Sequence, residues 1–397
     1  MKNIKAGSLR PMVQALVLLA LAVSIVLYGL YIEEIVDFRP LGAGDLNPYG
    51  GWSAVRGFAA DSSYEFEGIS RSIALTIALI VMSIVGGRFF CGWLCPLGAV
   101  QDIASWLGER LGTGSGRRLP DNHGRLVWLK YLILLSILLL SIFGYGAVLA
   151  GISPWRALQS LPGIVSHWDV MKAAFILLAG ILLASIFVTR AFCRYLCPLG
   201  AAQALFSSFG LLRLEYGKTC SSCRRCTGSC PAGIGPAAGS DAVSPECIRC
   251  MGCVEACSRE AGGISLRVGG RRVPQGIFVA MMLILFFGIW LGTPQLWGGG
   301  REALEVSLGT LKDGSYQGEA PGFAGKITTE IVVTGGKIIG ISIIAHHESK
   351  GWYEEVFREI PGRIIEKQRL RADVISGATK TSRGLVKSIE SAVKKAQ

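Results

Sequence analysis

The chain has 397 residues, a formal net charge of +12 and only 17% charged residues, with a mean hydropathy of +0.46. That composition lies on the membrane side of ordinary globular usage. It carries no Walker loop, Rossmann fingerprint or hydrolase triad, so the usual nucleotide-binding and hydrolytic classes have nothing to stand on.

Five apolar runs, at about 11–32, 72–88, 126–149, 171–189 and 273–292, approach the ~20 residues that a helix needs to cross ~30 Å of hydrocarbon. Buried core helices would account for the shortest two but not for five runs in one chain. The first run is long and lacks a small-residue cleavage pattern, so it is expected to stay as an anchor. The connection that follows is acidic, with Glu33, Glu34, Asp37, Asp45, Asp61, Glu65 and Glu67 against Arg39 and Arg56. Lysine and arginine collect instead at the N-terminus, in the connection holding Arg110, Arg117, Arg118 and Arg125, and between residues 190 and 272. With five alternating spans these basic segments share one face. The positive-inside rule makes that face cytoplasmic and puts the chain beyond about 293 outside, in a multi-pass protein of the plasma membrane. Topology then explains the net charge without nucleic acid as a partner, and anionic lipid headgroups are expected against the basic loops. Lys130 is expected to snorkel to the interface, and Trp128, Trp155, Trp168 and Trp290, near span ends, to sit in the interfacial belt.

The stretch Arg88-Phe89-Phe90-Cys91-Gly92-Trp93-Leu94-Cys95-Pro96-Leu97-Gly98-Ala99 returns as Arg190-Ala191-Phe192-Cys193-Arg194-Tyr195-Leu196-Cys197-Pro198-Leu199-Gly200-Ala201. Both copies follow an apolar run, so two half-units are expected to pack with pseudo-symmetry and bring their cysteines together near the cytoplasmic boundary. Cysteines four apart share a face if the segment is helical, and each proline would open the next helix. Cys91, Cys95, Cys193 and Cys197 could ligate a further metal centre, form a thiol/disulfide pair, or serve as small apolar packing residues. Two identical spacings favour a redox or metal role.

All twelve cysteines fall in such spacings. Cys220, Cys223, Cys226 and Cys230 form one C-x2-C-x2-C-x3-C run, and Cys247, Cys250, Cys253 and Cys257 a second. This is the bacterial ferredoxin arrangement, in which the fourth cysteine of each run crosses to the other cluster. One four-iron cluster is therefore assigned to Cys220, Cys223, Cys226 and Cys257, and the other to Cys247, Cys250, Cys253 and Cys230. A disulfide framework would call for a small secreted domain, and zinc would leave the third and fourth cysteines of each run without a role. Gly233-Ile234-Gly235-Pro236, between the runs, reads as a turn.

Past the last apolar run the pattern becomes soluble α+β. Residues 326–333 and 337–344 are β-branched segments flanking Thr334-Gly335-Gly336, a hairpin signal. Residues 382–396 have helical periodicity. Between them lies Asp373-Val374-Ile375-Ser376-Gly377-Ala378-Thr379, small residues running into a helix start, which suits either an ordinary Ser/Thr cap or a phosphate on free backbone amides. His346 and His347 follow the hairpin and read as exposed edge residues. With His123 and His167 they are the only histidines, none inside an apolar run, which disfavours a bis-histidine haem.

The Asp373 to Thr379 string is similar to the flavinylation motif of the FMN-binding domain in NqrC- and RnfG-type subunits. Tyr316-Gln317-Gly318, the turn at Gly335-Gly336-Lys337-Ile338 and Glu348-Ser349 resemble the same domain. The resemblance implies covalent FMN on Thr379 through a phosphoester, attached outside the cytoplasm by a separate flavin transferase, with Asp373, Ser376, Gly377, Ala378, Glu348 and Ser349 at the flavin site. The rest of the chain resembles polytopic membrane ferredoxins of the NosR and NapH type, on its paired Cys-x-x-x-Cys-Pro units and double ferredoxin run. It departs from NosR in carrying the flavin domain after the membrane part.

The expected organisation is thus a helical membrane domain over 1–211, a ferredoxin-like segment over 212–272, a last span at 273–292, a linker at 293–311 and an FMN-binding α+β domain over 312–397. The expected function is electron transfer from a cytoplasmic donor, such as a ferredoxin or reductase, to an extracytoplasmic redox partner. The alternative is a redox-sensing or maturation factor for an extracytoplasmic metalloenzyme. Because ~30 Å of hydrocarbon is too far for direct tunnelling, an intermediate centre or a moving domain is required.

Overall fold

The computed structural model describes residues 6–32, 46–49, 51–52, 69, 71–112, 123–143, 145–161, 164–210, 212–216, 225–234, 244–257, 264–268, 271–297, 311–322, 325–348, 353–368, 370 and 379–397. Five apolar helices organise the first three quarters of the chain: α1 (Ala6–Ile32), α2 (Arg71–Gly86), α5 (Leu129–Ile142), α6 (Ile164–Phe187) and α9 (Gln275–Trp297). Each Cys-x-x-x-Cys-Pro unit forms a short helix followed by a longer one, α3 (Phe89–Trp93) with α4 (Pro96–Arg110), then α7 (Ala191–Tyr195) with α8 (Pro198–Ser207).

The expectation of five membrane spans is corrected. Among the described residues, three stretches are long and apolar enough to cross: Leu9–Leu27, Gly124–Ile142 and Gln275–Gln295. α2 has 16 residues, about 24 Å at ~1.5 Å per residue, and falls short of the hydrocarbon core. It is stopped at Gly87, whose φ of +66° turns the chain into α3. α6 is longer, but its apolar part is only Met171–Phe187, preceded by His167 and Asp169 in its first turns. The run expected at 126–149 ends as a helix at Ile142, and a separate short helix begins at Gly146.

These helices bring alternate ends to one level. Arg10 near the start of α1 donates to the Gly92 carbonyl (3.0 Å), while α2 and α6 run into α3 and α7 at their C-terminal ends. Lys130 at the start of α5 pairs with Glu246. At the start of α9, Phe278 packs edge-on against Phe89 with ring centroids 5.6 Å apart. At Gly86 α2 comes against α9, where an added Cβ would lie 2.4 Å from the tip of the Met282 side chain and would push it aside. The core formed here runs through Leu75, Leu79, Met82, Phe89, Trp93, Phe175, Leu178, Phe278 and Phe286.

Three side chains expected at the membrane interface lie inside this core. Lys130 is fully buried and paired rather than snorkelling. Trp155 is buried with its indole N–H on the Leu46 carbonyl (3.1 Å), and Trp290 is buried beside Phe286. Trp128 and Trp168 are exposed, as belt residues would be. Hydropathy locates a span end but not the direction of a side chain around the helix.

In the segment after α8, β1 (Leu212–Tyr216) pairs antiparallel with β2 (Ile264–Val268), which pairs with β3 (Arg271–Arg272), so the two ends of the cysteine-rich segment meet in one small sheet. The C-terminal domain is a second antiparallel sheet of β4 (Gly314–Pro321), β5 (Lys326–Thr334) and β6 (Lys337–Ala345), covered by α10 (Glu354–Lys367) and α11 (Thr379–Ala396). The hairpin turns at Gly335 and Gly336, with φ of +62° and +73°, the pair of positive values a tight two-residue turn demands. Ile327, Ile331, Val333, Val356, Ile360, Leu385 and Ile389 form its core. α11 lies so close to β4 that a Cβ at Gly318 would stand 2.0 Å from the Ser388 carbonyl oxygen.

Candidate functional site

The cysteine-rich segment docks on the level where the helix ends meet. Cys220 and Cys223 lie outside the described residues; Cys226 sits in the helical turn Arg225–Gly228, Cys253 in Gly252–Glu255, and Cys257 just beyond. Cys230, Cys247, Cys250 and Cys253 are close enough to influence one another electrostatically, and Cys226 reaches Cys253. Arg249 and Met251, flanking Cys250, adopt left-handed φ of 54° and 63°, a conformation few non-glycine residues take, and so turn that loop tightly. Backbone N–H groups of Ile234, Ala232 and Gly233 face the Cys230 sulfur. Gathered thiols with N–H donors suit thiolate ligation of a cluster, whose potential such bonds tune. Burial pushes the Cys250 thiol up to about 11.

Several contacts hold this segment to the membrane repeats and to α5. Glu246 accepts from Arg88 (2.5 Å) and the Tyr131 hydroxyl (2.5 Å), and from Lys130. The Trp93 indole donates to the Arg249 carbonyl (3.0 Å). Arg194 donates twice to the Pro231 carbonyl (2.9 and 2.6 Å). Gly92 meets the Ile248 carbonyl so closely that a Cβ would lie 2.2 Å from it. As a result Cys91 of the first repeat, Ile248 and Cys250 form one buried apolar cluster.

The two repeats cross-brace each other. Pro96 and Pro198 open α4 and α8, and Cys95 and Cys197 cap them, each sulfur accepting from a backbone N–H, Gly98 (3.4 Å) and Gly200 (3.3 Å). Cys91 and Cys193 belong to the preceding short helices, so each Cys-x-x-x-Cys pair straddles a turn and does not share one helix face as expected. Gln101 donates to the Cys193 sulfur (3.1 Å), and the Cys91 thiol donates to Gln203 (3.2 Å). Arg190 donates to the Cys91 carbonyl (2.6 Å) and Arg88 to the Cys193 carbonyl (3.4 Å). Asp102 binds Arg190 through both oxygens (2.7 Å each) and also Arg10. Burial pushes the Cys193 thiol up. Burial, then the neighbouring thiols, also raises the Tyr49 phenol, which places Tyr49 beside Cys197, Cys95 and Cys91. Among the described residues no three Cys, His, Asp or Glu side chains close on a single metal ion.

At the C-terminal domain, Thr379 is the first residue of α11, while Asp373, Ser376, Gly377, Ala378 and Ser349 lie outside the described residues. Glu348 is buried and accepts from the Thr381 hydroxyl, which fixes the end of the β6 strand to the first turn of α11. His346 packs on Tyr353 and Phe357, with centroids 4.3 and 4.8 Å away, rather than standing free at a sheet edge.

Glu246, Tyr49, Gln101 and Gln203 were not singled out from the sequence. The glutamines had a signal, since the repeat offset of 102 residues that relates Cys91 to Cys193 also relates Gln101 to Gln203. Glu246 and Tyr49 had none.

A 4Fe-4S binding domain family matches residues 71–113 and 171–216, a 4Fe-4S dicluster domain family matches 214–258, and an FMN-binding domain family matches 322–394. The chain is 32% identical over 197 residues to the uncharacterized protein MJ0750 of Methanocaldococcus jannaschii, covering 49% of this chain and 78% of that one. It is 28% identical over 213 residues to the ferredoxin-type protein NapH of Escherichia coli (50% and 70%). It is 35% identical over 181 residues to the methylamine utilization ferredoxin-type protein MauN of Methylorubrum extorquens (44% and 58%). These similarities each span about half of the chain. The chain belongs to the membrane ferredoxin-type proteins related to NapH and MauN, here with an FMN-binding domain at its C-terminal end.

Proposed function

We propose that this protein passes electrons across the plasma membrane, between a cytoplasmic donor such as a ferredoxin or reductase and an extracytoplasmic acceptor. The observation that carries the reading is the docking of the ferredoxin segment on the paired repeats, with Cys250 and Cys91 in one buried cluster, and α9, of membrane-crossing length, standing in the chain between that segment and the FMN-binding domain. Bound iron–sulfur clusters supply one-electron carriers, and bound FMN a carrier of one or two electrons. Cys220, Cys223, Cys226 and Cys257 hold one cluster in this reading, and Cys247, Cys250, Cys253 and Cys230 the other. Thr379 carries FMN covalently, loaded by a flavin transferase, and Glu348 holds the strand end against the helix that Thr379 begins. Cys91, Cys95, Cys193 and Cys197 provide a stepping stone at the membrane edge. Basic residues on the N-terminal and ferredoxin side put that face in the cytoplasm, next to anionic lipid.

The test is transfer in liposomes of defined sidedness. Dithionite or reduced ferredoxin inside should reduce an impermeant acceptor outside over many turnovers. Transfer limited to one turnover would replace this reading with a redox-sensing or maturation role. A denaturing gel should show flavin fluorescence on the chain, lost in Thr379→Ala; fluorescence that survives removes the attachment site.

A further inference from the structure

The repeats gather four sulfurs around a local two-fold relation. Positions 88 and 190, 91 and 193, 95 and 197, and 101 and 203 are each 102 apart, and the contacts obey the same exchange. Each arginine donates to the carbonyl of the other repeat's first cysteine, and each glutamine meets the sulfur of that same cysteine. Each second cysteine caps its own repeat's longer helix. Cys95 and Cys197 both lie within electrostatic reach of Cys91 and Cys193 and of each other.

One detail breaks the symmetry. Gln101 presents its amide nitrogen to Cys193 (3.1 Å), whereas Gln203 presents its oxygen to Cys91 (3.2 Å) and leaves its own buried nitrogen without a partner. The two ends of an amide exchange by a half-turn. With a thiolate at Cys91 instead of a thiol, that half-turn gives Gln203 a donor role, matches Gln101, and removes the orphan. All four sulfurs then receive one N–H bond each, two of them at the N-termini of helices of 15 and 10 residues, where negative charge is favoured.

Charge points the same way. Arg88, Lys130 and Arg190 stand within electrostatic reach of these sulfurs and pair with Glu246 and Asp102, while Arg10 shares Asp102 and reaches Cys250. The cations outnumber the carboxylates, with Arg88, Lys130 and Arg190 almost wholly buried. Uncompensated buried charge is costly. Two further buried cations stand nearby, Arg194 on the Pro231 carbonyl and Arg249 with its guanidinium against Gly87.

We propose that Cys91, Cys95, Cys193 and Cys197 together ligate a third iron–sulfur centre, two thiolates from each repeat, with Arg88 and Arg190 compensating its charge. An oxidised two-iron or four-iron core with four thiolates carries a net charge of about −2, which offsets the positive charge of these surroundings. Thiolates around a single ion at ~2.3 Å would crowd together, and no three of these side chains do so. Two pairs facing across the local axis suit a polynuclear core. The ligand set rests on geometry and charge; its role as a relay rests on the transfer reading above.

The full chain, purified without oxygen, is analysed for iron and acid-labile sulfide, and its cysteines are mapped by alkylation and mass spectrometry after denaturation. The expected content is about ten or twelve irons per chain, for a two-iron or a four-iron core, against about eight for the ferredoxin pair alone. About eight irons overturns the proposal, as does a disulfide linking any two of these four cysteines in the iron-loaded protein. The double variant Gln101→Leu, Gln203→Leu should keep the iron content and shift one paramagnetic signal while the ferredoxin signals stay in place; an unchanged spectrum also counts against the site. A chain with eight irons that still carries electrons across liposomes sinks this assignment alone. A third centre in a chain that carries none sinks the transfer reading alone.

Discussion

Glu246 is the residue whose loss should separate the ferredoxin segment from the membrane repeats. Its carboxylate accepts from Arg88, Lys130 and Tyr131, and its side chain is 19% exposed against 3% and 0% for the two cations. Replacing it with alanine strands two buried positive charges, a change that costs about 3–5 kcal/mol when one partner of a buried pair is removed. At about 1.4 kcal/mol per factor of ten, local opening of the docked segment should rise by about two to four orders of magnitude. Hydrogen exchange across residues 244–257 in the full chain reads this directly, with Glu390→Ala on the exposed face of α11 as the control. Unchanged protection in Glu246→Ala, or an equal loss in the control, would refute the reasoning. The pH dependence has a definite sign. Burial opposes the charge on Glu246, but Arg88, then Lys130, prevail and hold its carboxyl below the ordinary carboxylate range. A depressed folded value means that the stabilisation is complete above the unfolded value of about 4.3 and is lost as pH falls through the folded one. The segment should therefore stay docked at neutral pH and open in acid.

Other substitutions test neighbouring contacts. Gly92→Ala forces a Cβ to 2.2 Å from the Ile248 carbonyl; with backbone on the far side the cost should be about 1–3 kcal/mol, seen as faster exchange over the same 244–257 window without loss of flavin. Gly318→Ala should destabilise the C-terminal domain by a similar amount, because its Cβ would meet the Ser388 carbonyl at 2.0 Å. Thermal unfolding followed by flavin fluorescence in the full chain should show a lower midpoint, and an unchanged one would remove the packing argument. Asp102→Asn should loosen α1, since Arg10 and Arg190 share that carboxylate; proteolysis near the start of α1 would report it.

Local chemistry was legible in the sequence wherever it depends on spacing along the chain. The ferredoxin runs, the repeated Cys-x-x-x-Cys-Pro unit, the prolines that open α4 and α8 and the Gly335-Gly336 hairpin are short-range patterns, because cap and turn geometry is fixed within four or five residues. Hydropathy found the apolar helices yet overstated how many are long enough to cross, since Gly87 and the polar start of α6 shorten two of them. What decides whether a polar side chain on an apolar helix faces lipid or a partner is the residue opposite, and that residue can be far away in sequence. Lys130 is buried because Glu246 meets it, and Trp155 because the Leu46 carbonyl does. The exchange of glutamines and arginines between repeats, and the contact of Cys91 with Cys250 through Ile248, likewise exist only once the chain has packed. Spacing set which residues could bind iron, and resemblance those at the flavin; tertiary packing alone set which of those groups lie side by side, because long-range contacts carry no periodic mark in the chain.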